Sequence, residues 1–219
     1  MGNHYYEECY SAKKAYQHAR AASDYELRAH YRGMLGQYRK FRERQAIQSA
    51  VQQFMTDSVI LDCPCGNGRW FERLETRASH IIGIDVSQVM VTAASKRKLK
   101  KSSLEVHLGE AEKINLEDNA VDHVFCYALM KHLPPELKVR IIGEFARVST
   151  GRIVVSFGLF NPIGKLLWKM RGAHEWPVCW SEIKRLASIA SLDIGAVYKS
   201  GIPIIGMETI VVFERKTSW

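Results

Sequence analysis

The chain has 219 residues, 47% apolar and 25% charged, with 15 Gly and 6 Pro, which suits one domain with an appended segment and excludes collagen-like and low-complexity chains. Its 31 Lys and Arg exceed its 23 Asp and Glu, for a net charge of +8, a balance that favours nucleic acid, an anionic membrane surface or an anionic substrate. No apolar run approaches the roughly 18 residues of a membrane span, and residues 1–20 lack an apolar signal-peptide centre, so a cytoplasmic location is expected.

Residues 1–56 contain no Pro and have Gly only at positions 2, 33 and 36. Tyr31, Met34, Leu35 and Tyr38 recur at helical spacing, as do Phe41, Ile47, Val51 and Phe54. We expect two or three helices, with a break near Gly33 or Gly36, forming a helical cap segment before a core over residues 57–219. From residue 58 short apolar runs alternate with stretches of helical length. Strands are expected at 59–61, 81–84, 104–108, 121–127 and 152–157, and helices at about 69–77, 87–100 and 135–147. Such alternation makes βαβ units, a parallel sheet covered on both faces and, with right-handed crossovers, a doubly wound α/β fold. Residues 158–178 form an insertion, expected to act as a lid. A helix at 181–190 follows, with Ser181 as its N-cap. Strands at 194–199 and 209–213 close the chain, and the short connection between them, holding Gly201, Pro203 and Gly206, demands an antiparallel pair.

The five cysteines are Cys9, Cys63, Cys65, Cys126 and Cys179. Their odd number argues against a disulfide framework, and no zinc-like ligand spacing is present, so no metal is expected. Basic residues concentrate at Lys96, Arg97, Lys98, Lys100 and Lys101. A solvated helix end accounts for them, since cations complement the helix dipole there.

The segment from Val59 through Asp62, Cys63, Pro64, Cys65, Gly66, Asn67, Gly68 and Arg69 carries most of the chemical information. An apolar strand runs into a turn with two glycines, which let the backbone approach a ligand closely. Asp85 ends the second strand, where a carboxylate meets ribose hydroxyls. The three-glycine spacing of a dinucleotide site and the Lys-Ser/Thr of a phosphate loop are both absent. Asp62 would repel phosphates and suits an ammonium group instead. The ligand so described is a nucleoside with an amino-acid tail.

These segments resemble the class I S-adenosylmethionine-dependent methyltransferases. Residues 60–68 resemble the first motif of that family and Gly83, Ile84, Asp85, Val86 and Ser87 the second. Gly109, Glu110, Ala111 and Glu112, with Asp118 to Asp122 after them, resemble the adenine-contacting loop and the lead into strand four. Phe125, Cys126 and Tyr127 with Lys131, His132 and Leu133 resemble the stretch beyond it. The resemblance covers about residues 57–157 in order, and its best match is the small-molecule branch. Pro64 departs from it, standing where the family usually has Gly.

The resemblance implies a mostly parallel seven-stranded sheet with a reversed last strand and S-adenosyl-L-methionine as cofactor. It places Asp62, Cys63, Gly66 and Gly68 against the amino-acid portion, Asp85 on the ribose, and Val86, Glu110 and Ala111 around adenine. Tyr127 falls near the sulfonium, and Arg44 or Arg42 is the candidate for the cofactor carboxylate. Methyl transfer rests mainly on alignment in a water-poor site, with a general base only where the nucleophile must lose a proton. His132, Tyr127 and His174 are catalytic candidates by location. The N-terminal helices and the 158–178 insertion should grip the substrate, with Trp168, Trp176 and Trp180 available to line an apolar pocket. Leu166, Leu167 and Met170 alternate with Lys165, Lys169 and Arg171, a pattern of either a lid helix or an amphipathic helix on a membrane surface. A small acceptor, hydrophobic where the tryptophans line the pocket, is favoured over RNA, because residues 125–128 lack the Asn/Asp-Pro-Pro-aromatic motif of exocyclic-amine methylation and no RNA-binding module is recognised. A non-catalytic cofactor-binding partner is the remaining alternative.

Overall fold

The computed structural model describes residues 33–160, 176–200 and 208–216. Seven strands form one sheet: β1 Ser58–Asp62, β2 Ala78–Asp85, β3 Ser103–Leu108, β4 His123–Cys126, β5 Ile153–Gly158, β6 Leu192–Lys199 and β7 Glu208–Arg215. Their order is β3-β2-β1-β4-β5-β7-β6. The first five strands pair in parallel, and β7 runs antiparallel between β5 and β6. The expected fold and reversed last strand are therefore observed. The helices are α1 Gly33–Val51, α2 Phe71–Leu74, α3 Gln88–Ala94, α4 Pro135–Val148 and α5 Trp180–Ile189, with a 3-10 turn at Met130–His132. No helix among the described residues is long and apolar enough to cross a membrane.

Strand periodicity sorts the core into two layers. Ile60, Phe125, Val154 and Val212 face one side, where Ala46, Ile47, Ala50 and Val51 of α1 cover them. Their sequence neighbours Leu61, Val124, Val155 and Val211 face the other, against Ile141, Ile142 and Phe145 of α4 and Ile183 and Leu186 of α5. Successive side chains of a strand point to opposite faces, so a central strand must be apolar throughout. At the edges β3 and β6 alternate half-buried with exposed positions.

Several boundaries differ from expectation. Gly33, with φ +71°, opens α1, whereas Gly36 lies buried inside it and breaks nothing. The helix expected over 87–100 stops at Ala94. Beyond it Glu75 gathers the backbone N–H groups of Lys100, Lys101 and Ser102 and so anchors the stretch that leads into β3. The fourth strand ends at Cys126 because Ala128 turns to φ +62° and donates its N–H to Ser156 Oγ at 2.7 Å. Cys179, not Ser181, is the N-cap of α5.

The insertion begins and returns at the carboxyl end of β5. Phe160 N–H donates to the Val178 carbonyl and Val178 N–H to the Gly158 carbonyl, both at 2.9 Å. Trp176 N–H donates to Lys131 O at 2.6 Å, and Lys138 Nζ donates to Trp176 O at 3.0 Å. The segment expected to be a lid helix, with Trp168 and His174, lies outside the described residues, as do residues 1–32.

Candidate functional site

The parallel strands bring Asp62 and Asp85 to one end of the sheet, Gly83 standing level with Asp62. Between β1 and α2 the chain makes a tight turn in which Gly66 has φ +53° and Gly68 φ +74°. A Cβ on Gly68 would sit 2.6 Å from the Phe71 ring, so only glycine fits there. Asp85 holds this turn in place. Its Oδ2 accepts from Gly66 N–H at 2.8 Å, and its Oδ1 from Ser87 N–H at 2.9 Å. Burial pushes the Asp85 carboxyl up, while the Ser87, Gly66 and Val86 amides pull it down. Ser87 then caps α3 by accepting from Met90 N–H at 3.4 Å.

Asp62 is different. It is 1% exposed, and neither carboxylate oxygen has a hydrogen-bond partner among the described residues. Burial, reinforced by Asp85, holds its carboxyl well above the usual range. A buried carboxylate without donors is costly, and a cation or donor entering the turn relieves that cost. Cys63, Cys65 and Cys126 are buried around it, their thiols pushed well above the ordinary value by burial. Further along the same edge, Gly109 N–H donates to Asp85 O at 3.0 Å. Beyond it Ala111 is buried and Glu110, exposed, bridges Lys113.

The β4–β5–β7 side of the crevice is built differently. Tyr127, 7% exposed, packs edge-on against Trp70 with centroids 5.4 Å apart. Its hydroxyl donates to Glu208 Oε2 at 3.1 Å, and Lys131 Nζ donates to Glu208 Oε1 at 2.7 Å. The β5–β7 register sets Glu208 beside Gly158, which brings it to this end. Burial would raise the Glu208 carboxyl, but Lys131, Arg39 and the Tyr127 hydroxyl together take it down to about 2. Arg69 pairs with the buried Glu43 of α1 at 2.6 Å and lies 4.4 Å from the Trp70 ring centroid.

A methyltransferase-domain family model matches residues 60–150, which span the glycine turn and the whole β1–β4 edge. A ubiquinone biosynthesis O-methyltransferase of Hahella chejuensis is 28% identical over 151 residues, 62% of this chain and 63% of that protein. The magnesium protoporphyrin IX methyltransferase of Synechocystis, solved with bound SAH, superimposes with a TM-score of 0.75 at 15% identity. That match covers 94% of this chain and 98% of the other. The chain thus carries a match to a methyltransferase domain over residues 60–150, spans 63% of the curated relative's length and has the fold of the magnesium protoporphyrin IX methyltransferase. The fold alone does not dictate methyl transfer, since the [4+2]-cyclase SpnF aligns over 78% of this chain and 81% of its own at 16% identity and a TM-score of 0.63.

In this chain Asp62, Cys63, Gly66, Gly68, Asp85 and Val86 lie at the ends of β1 and β2, Glu110 and Ala111 follow β3, and Tyr127 and His132 follow β4. Arg44 does not join them. It is exposed and lines a groove with Phe41, Gln48 and Tyr198, and Arg42 bonds the Lys199 carbonyl at 3.3 Å. Helical spacing turns Arg39 and Glu43 of α1, rather than Arg44, towards the crevice. Glu208, Glu43, Arg69 and Arg39 escaped the sequence reading. Arg69 adjoins Gly68, which is the one local signal, whereas the Tyr127–Glu208 contact spans 81 residues and leaves no spacing to read.

Proposed function

We propose that this protein moves a methyl group from S-adenosyl-L-methionine to a small-molecule acceptor. The observation that carries the proposal is Asp62, a buried carboxylate with two unpartnered oxygens in a turn opened by two glycines. That donor-hungry carboxylate fits the ammonium of an amino-acid tail. Asp85 would serve the ribose hydroxyls, Val86 and Ala111 the adenine faces, Glu110 the adenine edge, and Cys63, Gly66 and Gly68 the tail. When bound, the cofactor supplies a methyl group on a sulfonium, open to in-line displacement by an electron-rich O, N or C atom.

The chain's own contribution is to orient and to exclude water. Trp70, Phe125 and Tyr127 pack as one aromatic group beside the turn. Tyr127 and His132 are the catalytic candidates. The Tyr127 hydroxyl already donates to Glu208, which gives it an orienting role. A small acceptor is supported by the relatives, one named for ubiquinone biosynthesis and one for magnesium protoporphyrin IX. Calorimetry with S-adenosylmethionine and its demethylated product tests the proposal, together with labelled-methyl transfer into a metabolite extract. Micromolar cofactor binding is expected, and no detectable binding at millimolar cofactor would overturn it.

A further inference from the structure

The crevice is electrically divided. Its β1–β2 side holds two buried carboxylates, Asp62 and Asp85. On its β4–β5–β7 side, among the described residues, the cations Arg39, Arg69 and Lys131 meet two carboxylates, Glu43 and Glu208, an excess of positive charge. Arg69 is closely paired with Glu43 and shielded by Trp70. Lys131 and Arg39 both converge on Glu208, from the 3-10 turn after β4 and from α1. Arg39 lies 3.9 Å from Glu208 Oε2, beyond hydrogen-bond distance, and its side chain keeps 31% of its exposure. Its guanidinium is thus drawn to the site by charge without spending a donor on that carboxylate. A guanidinium so placed presents the planar donor pair that a carboxylate accepts.

We infer that the acceptor carries a carboxylate, received by Arg39 with Lys131 beside it, while Glu208 positions both cations and Tyr127. The inference rests on the methyl-transfer reading and names its substrate class. Lys131 follows Tyr127 by four residues and packs against Gly158, where an added Cβ would come within 3.4 Å of Lys131 Cβ. An acceptor anchored there lies beside Tyr127, on the side of the sheet away from Asp85. Anchoring a remote carboxylate aligns the reacting atom, so binding energy is spent on orientation.

The test uses a near-isosteric pair, in which an amide replaces the carboxylate and removes its charge and one of its acceptor oxygens. The full chain is saturated with S-adenosylhomocysteine, then titrated with sodium benzoate and with benzamide at constant ionic strength. Benzoate is expected to bind at least tenfold more tightly than benzamide. Arg39→Met should reduce that preference to below threefold, and Lys131→Met should weaken it, with S-adenosylhomocysteine affinity within twofold of wild type in both. Equal binding of the two probes, or a preference that survives Arg39→Met, would overturn the inference. Failure of S-adenosylhomocysteine itself to bind would instead overturn the methyl-transfer reading, so the two failures are distinct.

Discussion

Asp62 and Asp85 end adjacent strands and are both buried, yet among the described residues only Asp85 is supplied with donors, by Gly66 and Ser87. One carboxylate builds the turn, and the other is left for whatever enters it. Asp62→Asn should therefore stabilise the ligand-free protein at neutral pH by about 1–3 kcal/mol, by removing an uncompensated buried charge. Because the folded carboxyl is raised, its contribution to stability is present below the ordinary value of 3.8 and is lost as pH rises through the elevated one. The advantage of the variant should grow over that rise, as read by thermal denaturation, while cofactor binding falls. A variant less stable than wild type at pH 7 would show that Asp62 is already compensated.

Gly68 is the sharpest steric constraint in the turn. Gly68→Ala places a Cβ against Phe71 in a backbone region that L-residues avoid. A loss of about 1–3 kcal/mol is expected by urea denaturation, along with at least tenfold weaker cofactor binding. Full binding by the variant would mean that the turn relaxes without consequence.

Arg147 acts at a distance from the crevice. It donates to the carbonyls of Leu116 and Ile114 at 2.8 and 2.9 Å and to Asp118 at 2.8 Å, fixing the loop that continues from Glu110 and Ala111. Arg147→Met should cost about 1–2 kcal/mol of stability and weaken cofactor affinity several-fold in calorimetry. Unchanged affinity would separate this loop from the adenine side.

His123 begins β4, at the opposite end from Tyr127, and stacks on Phe54 at 4.4 Å. Burial lowers it from 6.5 to about 4. A base depressed in the folded state is protonated first in the unfolded chain. Stability should thus hold above about pH 6.5 and fall between 6.5 and 4, by up to about 3 kcal/mol. His123→Gln should start less stable but show a flatter profile in that window. An equally steep profile in the variant would assign the acid transition to other groups.

The basic residues from Lys96 to Lys101 bear on nucleic acid. Glu75 fixes the backbone here, and Arg97 Nε donates to Asn67 O at 3.0 Å beside the glycine turn. RNA binding should be weak, sequence-independent and steeply reduced by salt. Submicromolar affinity at physiological salt, with methyl incorporation into RNA, would move the acceptor to nucleic acid.

All seven strands, the antiparallel final pair and the glycine turn were legible in the sequence. Each is a local pattern: apolar runs such as 59–61 and 153–157, glycines where φ is positive, and a connection too short for a crossover helix. The positions of the candidate residues Asp62, Gly66, Gly68 and Asp85 in the fold were legible for the same reason, since they stand at strand ends that hydrophobicity marks. Local patterns do not show distant acceptors, so the end of the helix at Ala94 and the hold of Glu75 on the N–H groups of residues 100–102 beyond it went unannounced. Nor could they choose among Arg39, Arg42 and Arg44, which differ only in the face of α1 they occupy. Tertiary structure alone decided the β4–β5–β7 side of the crevice. There β7 reverses to carry Glu208 up to Tyr127 and Lys131, and α1 crosses the sheet to bring Glu43 and Arg39 beside them. Those partners lie far apart along the chain, and only sheet order and helix packing bring their charges within reach of one another.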